Sequence, residues 1–428
     1  MSWNPVLNMI NEIKSEHINK IGELSFTTKL VKNKDTGGRS TLSCLEQWIL
    51  ALDIKKYSDF IKPLQIGQNE DLIIIRYDIS GLGSLVGMWE DKNSIYRECR
   101  SVVINIVASE LVATPFRKFF NINEVEENKE DVLGVEIANS KIFEITNKLD
   151  GSMQSARYYK SEIKLFGSMA LSINNSWRLG NGYSLLTKGH KLMIEDNPDF
   201  TFMFEYVSKI NQHVVYYEDL NGLFLIGARN VLDGREVTYR ELRKYSKLWN
   251  VPMAEIENIT TDEMFSKMKT ANALEKEGWV LNIDGHKVKI KCDDYCNVHR
   301  ILDNVSSVNV IIKAVADNNY DDLISKVPLQ LLERVKFIKQ MVVEFKNNKE
   351  NIILDYYKNA PKENMKEFMI WVDTNVEKCY NGFVKNRYLN KEYNPLKKRE
   401  GYIKFNKMYK YPFEYYYSKE LLKGELDD

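Results

Sequence analysis

An excess of charge of either sign is missing from this chain: its 428 residues carry 60 Lys and Arg against 60 Asp and Glu, a formal net charge of zero. The overall balance gives no hint of a polyanion partner, so any nucleic-acid surface has to come from local segregation of charge. Cysteine and histidine are scarce, at 5 each. The odd set Cys44, Cys99, Cys292, Cys296 and Cys379, scattered through a long chain, fits reduced thiols in a cytosol better than a disulfide framework. Cys292 and Cys296 are the one close pair, and with no second pair they read as ordinary thiols, not a zinc site. No apolar run approaches the length of a membrane span. The opening MSWNPVLNMINEIKSEHINKIGEL breaks its apolar spacing with Asn, Glu and Lys, which predicts an amphipathic helix and no signal peptide. There is no internal repeat, no low-complexity tract and no Gly-rich Walker loop. These absences predict a soluble cytoplasmic protein, cellular or virus-encoded and acting inside a host cell, without a membrane partner and expected as a monomer.

What is present is enough apolar material, 44% of residues, for two or three domains with real cores. From Pro5 to Ile61 the apolar positions, among them Leu42, Leu45, Trp48, Ile49 and Leu52, follow helical spacing. From Leu72 the period becomes that of strands: LIIIRYD, SVVINIV, ELVATPF, a strand before Lys148, SARYY, EIKLF, TFMFEYV, HVVYY and LFLIGARN. Helices are predicted near Leu185–Glu195, Tyr239–Trp249 and Asp262–Glu275, strands resume at GWVLNI and HKVKIKC, and after Asp293 the pattern is helical to about Lys385. Leu329, Leu332, Val335, Ile338, Val342 and Phe345 form one stripe there. The expectation is an α+β protein: a helical N-terminal arm over 1–70, a mostly antiparallel-sheet body over 71–295 and an all-α C-terminal domain over 296–428. The segment Lys378–Lys423 holds 12 Lys and Arg against 4 acids, with tyrosines interleaved. Such a segment can neutralise phosphates and stack bases, or its tyrosines can simply pack on the helical domain.

The chemistry concentrates at Phe143–Ser152, FEITNKLDGS, where a strand ends in Lys148, Asp150 and Gly151. A lysine between a strand and a tight Gly turn is held by backbone on both sides and can be aimed at one electrophile. Alone, the pattern is equally an ordinary strand end with a solvated lysine. Other charged residues, however, stand at strand ends of the same body: Arg97 and Arg100, Arg117 and Lys118 before Phe119 and Phe120, Glu205 in FMFEYV, Glu277 before Gly278, and Lys289 with Lys291 on one face of a strand. Together they describe a nucleotide site. Lys289 and Lys291 would lower the pKa of Lys148 and neutralise phosphate oxygens, and Asp150, Glu205 and Glu277 would hold Mg²⁺ with its waters, or ribose hydroxyls.

KLDGS at 148–152, FMFEY, LFLIGARN, EGWVL and KVKIK occur in an order that resembles the covalent nucleotidyltransferases, and within them the RNA ligase 1 family typified by the bacteriophage T4 enzyme. RECRSVV and FRKFFN resemble that family's nucleotide-contacting segment, and the similarity spans roughly Tyr77 to Tyr295. The resemblance implies an ATP-grasp-like ligase fold and an ATP-dependent RNA ligase using Mg²⁺, or Mn²⁺ in its place. It implies Lys148 as the adenylylated nucleophile, Tyr77, Arg100, Lys118 and Gly151 near ATP, and Phe119 or Phe120 near the base. Glu205 would bind ribose, Glu277 and Asp150 the metal waters, Lys289 and Lys291 the α-phosphate, and Tyr295 would serve ligation. The family's basic residue before the Gly-Ser of the next strand is replaced here by Phe166, with Lys164 the nearest cation. By the same resemblance the substrate is RNA, with a broken tRNA foremost, and a separate end-healing kinase-phosphatase is a candidate partner that the sequence itself does not show. DNA ligases and capping enzymes usually carry KxDGxR and an OB-fold after the last lysine motif; here the Arg position is Met153 and the chain turns helical. A non-catalytic RNA-binding descendant would have lost the nucleophile or the lysine pair, and neither is lost.

Overall fold

The computed structural model describes residues 2–22, 29–32, 39–53, 55–78, 89–306, 308–317, 320–324, 327 and 329–396. In chain order the strands are β1 (Lys29–Lys32), β2 (Arg39–Leu42), β3 (Leu64–Asn69), β4 (Leu72–Tyr77), β5 (Arg100–Asn105), β6 (Glu110–Ala113), β7 (Phe120–Asn121), β8 (Phe143–Lys148), β9 (Ser152–Tyr159), β10 (Glu162–Phe166), β11 (Phe200–Val207), β12 (Gly222–Asn230), β13 (Gly278–Ile283) and β14 (His286–Lys291). β1 and β2 form a hairpin, and the rest form sheets ordered β3-β4-β5-β6, β10-β9-β11-β12 and β7-β14-β13-β8. All pairings are antiparallel except β7 with β14. The chain divides into two compact units, Met1–Asp293 and Asp294–Asp428.

Ile73, Ile74 and Ile75 of β4 are all fully buried, because this sheet is covered on both faces. Ile73 and Ile75 meet the N-terminal helices through Val6, Ile10, Leu45, Trp48 and Ile49. Ile74 faces the other way, onto Val103, Tyr159 and Phe166. The helix Cys44–Leu52 starts at a capping box in which Ser43 and Glu46 satisfy each other's backbone donors. The β10-β9-β11-β12 sheet buries one face under the helices Trp177–Ser184, Lys188–Glu195 and Tyr239–Trp249, through Leu179, Met193, Ile194 and Leu242 against Phe202, Phe204 and Tyr206. Its other face, with β7-β14-β13-β8, bounds the cleft described below.

Two predictions fail in instructive ways. HVVYY is no strand: the Val214 and Val215 amides both donate to Asp150 Oδ2, at 2.8 Å each, in place of a neighbouring strand. The N-terminal stretch is not all helix, since β1, β2 and β3 interrupt it. In the second unit the described residues contain helices and no strand. Val335, Ile338 and Val342 are buried as the stripe predicts. Of the basic segment, Lys385 pairs with Asp373 at 2.6 Å, Tyr388 stacks on Phe368, and Tyr393 donates to Glu350. Its larger part, including Lys397, Lys398, Arg399 and the tyrosines from Tyr402 on, lies outside the described residues.

Candidate active site

Lys148 ends β8, and Leu149–Gly151 carry the chain across to β9 in a different sheet. The crossing is so tight that a Cβ on Gly151 would collide with the Tyr206 carbonyl, so only glycine fits. Asp150 is 4% exposed and anchors the turn: its carboxylate takes the Val214 and Val215 amides while its own N–H donates to the Tyr217 hydroxyl at 2.9 Å. In register across the sheet, Lys148 pairs with Gly278 of β13, and Gly278 with Lys291 of β14. Glu277 therefore sits between two lysines: its Oε2 lies 2.7 Å from Lys148 Nζ and its Oε1 3.0 Å from Lys291 Nζ. Gly278 has φ of 147°, and a Cβ there would strike the Ile290 carbonyl, so the approach of β13 to β14 that aligns these charges also requires glycine.

Lys289, one pleat before Lys291, donates to the Phe119 carbonyl at 3.0 Å and lies 4.5 Å from that ring's centre. The Arg100 guanidinium lies 4.8 Å from the same ring, so two cations stand close to Phe119. Phe119, not Phe120, lines the cleft. Phe120 is 2% exposed and helps enclose Lys118, whose amine lies 4.8, 5.2 and 5.7 Å from the rings of Phe120, Tyr77 and Trp89. Glu205 enters the site from β11, opposite Met153 of β9. Its neighbours Phe204 and Tyr206 do not line the cleft with it; strand alternation turns them into the core behind.

The cleft, about 140 Å³, is lined by Lys148, Glu205, Lys287, Lys289, Arg100 and Phe119 over an apolar floor that includes Ile226 and Val280. Its electrostatics differ from the sequence expectation. Burial alone would lower the Lys148 amine, but the charges of Glu277, Glu205 and Asp150 outweigh it and hold the amine above its ordinary value. The depressed lysine is Lys289, brought down to about 6 by burial and by the nearby Arg100, Lys118 and Lys148. Burial, with Glu277 and Asp150 adding to it against the pull of Lys148, pushes Glu205 up to about 8. The site at rest thus holds a charged Lys148 against Glu277, beside a protonated Glu205 and a largely neutral Lys289. Among the described residues no three acids, histidines or cysteines stand close enough to ligate a metal together. This donor set suits a Mg²⁺ that keeps several waters and leans on phosphate oxygens, not an all-protein cage.

Other expected residues fall elsewhere. Lys164 is on the edge strand β10, paired with Glu162 at 2.6 Å, and does not line the cleft; Phe166 is fully buried in the core. Tyr295 is the second residue of the second unit, 2% exposed, its ring 5.7 Å from His299. Lys287 was overlooked, although it shares the face of Lys289 and Lys291 by strand alternation; it lines the cleft and pairs with Glu236. Trp89 gave no sequence signal, because nothing in its neighbours marks it as a partner of Lys118.

A family model described as RNA ligase matches residues 98–295, the stretch that carries Arg100, Lys148, Glu205, Glu277, Lys289 and Lys291. This segment is similar to the RNA ligase family. The chain is also similar to a protein named as a bifunctional polynucleotide kinase/RNA ligase of Autographa californica nuclear polyhedrosis virus, 25% identical over 255 residues, with 54% of this chain covered. The chain spans only 35% of that relative's length. Among solved structures, an archaeal ATP-dependent RNA ligase is 11% identical over 79% of this chain and 95% of its own, with a TM-score of 0.43. The Naegleria gruberi RNA ligase with PPi is 17% identical over 43% of this chain and 57% of its own, with a TM-score of 0.34. No helix among the described residues is long and apolar enough to cross a membrane.

Proposed function

We propose that this chain is an ATP-dependent RNA ligase that joins 5′-phosphate and 3′-hydroxyl RNA ends, with Lys148 as its nucleophile. The observation that carries the reading is the bridge Lys148–Glu277–Lys291, whose Lys148 lines a cleft together with Lys289, inside the segment that the RNA ligase family model matches. An amine positioned at a rigid strand end suits in-line attack on the α-phosphorus of ATP. The new N–P bond displaces pyrophosphate, and the amine gives up a proton. A 5′-phosphate oxygen of the RNA then attacks the same phosphorus, the N–P bond breaks, and Lys148 takes a proton back. Finally the 3′-hydroxyl attacks the activated 5′-phosphate, forming the phosphodiester and releasing AMP.

Before the first step the Lys148 ammonium must be freed from its acids. Glu277 and Asp150 would hold a Mg²⁺ or Mn²⁺ through its waters, and the positive charge there would offset their hold on Lys148 and neutralise phosphate oxygens. Lys289 and Lys291 stand where charge builds on the α-phosphate, and Lys289 gains its proton as that charge approaches. A protonated Glu205 donates a hydrogen bond and suits a ribose hydroxyl. Phe119, which lines the cleft, supplies a ring for the base to pack against. Residues 71–295 serve as the adenylyltransferase, 1–70 pack on it, and 296–428 set RNA preference. Tyr77, Lys118 and Gly151 support the nucleotide contacts, and Tyr295 serves the later steps. Repair of cleaved tRNA, with a separate kinase-phosphatase preparing the ends, is the use that fits. A gel assay with a 5′-phosphate RNA tests the reading: ATP-dependent circles or concatemers are expected, and equal sealing of a 5′-hydroxyl strand, or none of either, refutes it.

A further inference from the structure

A second groove, about 610 Å³, opens beside the nucleotide cleft and shares Arg100 and Met153 with it. Arg76, Arg100 and Arg178 line it together with Ser101, Ser152, Ser168 and His213, and no carboxylate among the described residues does. Arg76 and Arg100 are register partners on β4 and β5, next to an irregularity after Ile75. The Arg100 guanidinium is directed to the Phe119 ring and the Arg117 carbonyl, and like charges on register partners are unfavourable unless an anion offsets them. Among the described residues Arg76 makes no ion pair that would relieve this. Arg178 is oriented: its Nε donates to Asn211 Oδ1 at 2.9 Å, the same oxygen accepts from Ser152 Oγ at 3.1 Å, and Asn211 in turn donates to the Tyr206 carbonyl. The arginine is therefore tied to both the turn that carries Lys148 and the strand that carries Glu205. Ser101 sits at φ 62° and donates to the Ser168 carbonyl at 2.8 Å, a strained residue pinning the start of β5 to the groove's opposite wall.

We propose that this groove seats the terminal 5′-phosphate of the RNA strand that receives AMP, with Arg76 and Arg178 as its clamp. The inference rests on the ligase function proposed above and assigns it a strand-end subsite. Guanidinium forks match phosphate oxygens in pairs, and a terminal phosphate carries the charge to offset arginines that line a groove without a carboxylate among the described residues. Arg76 and Arg178 do not line the nucleotide cleft, so the clamp belongs to the second reactant and not to ATP. Because Met153 and Arg100 border both spaces, a phosphate here abuts the lysyl adduct. One of its oxygens attacks the adenylate phosphorus, the N–P bond breaks, and Lys148 leaves as the amine with one proton.

The test separates the steps. Arg76→Gln and Arg178→Gln enzymes are incubated with α-labelled ATP, and transfer of AMP from the isolated labelled protein to a short 5′-phosphate oligoribonucleotide is then timed. Labelling within about twofold of wild type and transfer slowed at least tenfold are expected; retained labelling also shows that the variants fold. In parallel, wild-type protein is titrated with the same strand bearing a 5′-phosphate or a 5′-hydroxyl, and a preference of at least tenfold for the phosphate is expected, lost in both variants. Transfer at the wild-type rate, an equal loss of labelling and transfer, or equal wild-type affinity for the two strands overturns the proposal. Failure of wild-type protein to label at all would instead count against the ligase function itself.

Discussion

Lys289 gives up its proton far more readily than an ordinary lysine, because it is buried among Arg100, Lys118 and Lys148 while Glu277 pairs with Lys148 and Lys291. Between its folded value of about 6 and its ordinary value of 10.5, the folded chain binds fewer protons at Lys289 than the unfolded chain does. Its contribution therefore makes the nucleotide-free protein more stable as pH rises through that window, and its cost is greatest at and below about pH 6. Lys289→Met should raise the melting temperature of the nucleotide-free protein, more near pH 6 than near pH 9, while cutting adenylylation by about 10²-fold or more, as loss of a charge-stabilising group does. Thermal melts at the two pH values with a labelling assay check both halves; a variant that loses stability at pH 6 contradicts the account. The lysines themselves were legible in the sequence, since KVKIK alternates. Their charge states were not, because these depend on which lysines Glu277 reaches across β13 and β14, a matter of register.

At the level of elements, the site depends on how closely β8, β13 and β14 approach at Lys148, Gly278 and Lys291. Gly278→Ala should destabilise the protein by about 2–4 kcal/mol, since its φ suits glycine and the added methyl meets backbone that cannot yield. It should also disable adenylylation, because Glu277 and Lys291 move with their strands; denaturant unfolding alongside labelling reads both. Near-normal stability with full activity would show that the close approach is dispensable. The strands holding this triad were readable from their apolar alternation and turn residues. HVVYY was misread for a reason local pattern does not carry: Asp150, distant in sequence, takes the Val214 and Val215 amides that a strand would have offered to a neighbour. Arg178 was equally invisible, since its relevance comes from Asn211, Ser152 and Tyr206 meeting it in space.

Across the whole molecule, every residue of the cleft and of the arginine groove belongs to Met1–Asp293, and the helical unit begins at Asp294. A fragment of residues 1–293 should accordingly keep covalent labelling by ATP while losing at least tenfold in sealing of RNA. Loss of labelling from a folded fragment would show that the helical unit completes the first step. The division between a β-rich body and a helical C-terminal part was plain in the change of period after Asp293. The account as a whole stands on one covalent bond. Incubated with α-labelled ATP and Mg²⁺, the full-length protein should form an acid-labile, alkali-stable AMP adduct that maps to Lys148 and is absent from Lys148→Ala; no adduct, or one that survives that substitution, would contradict it.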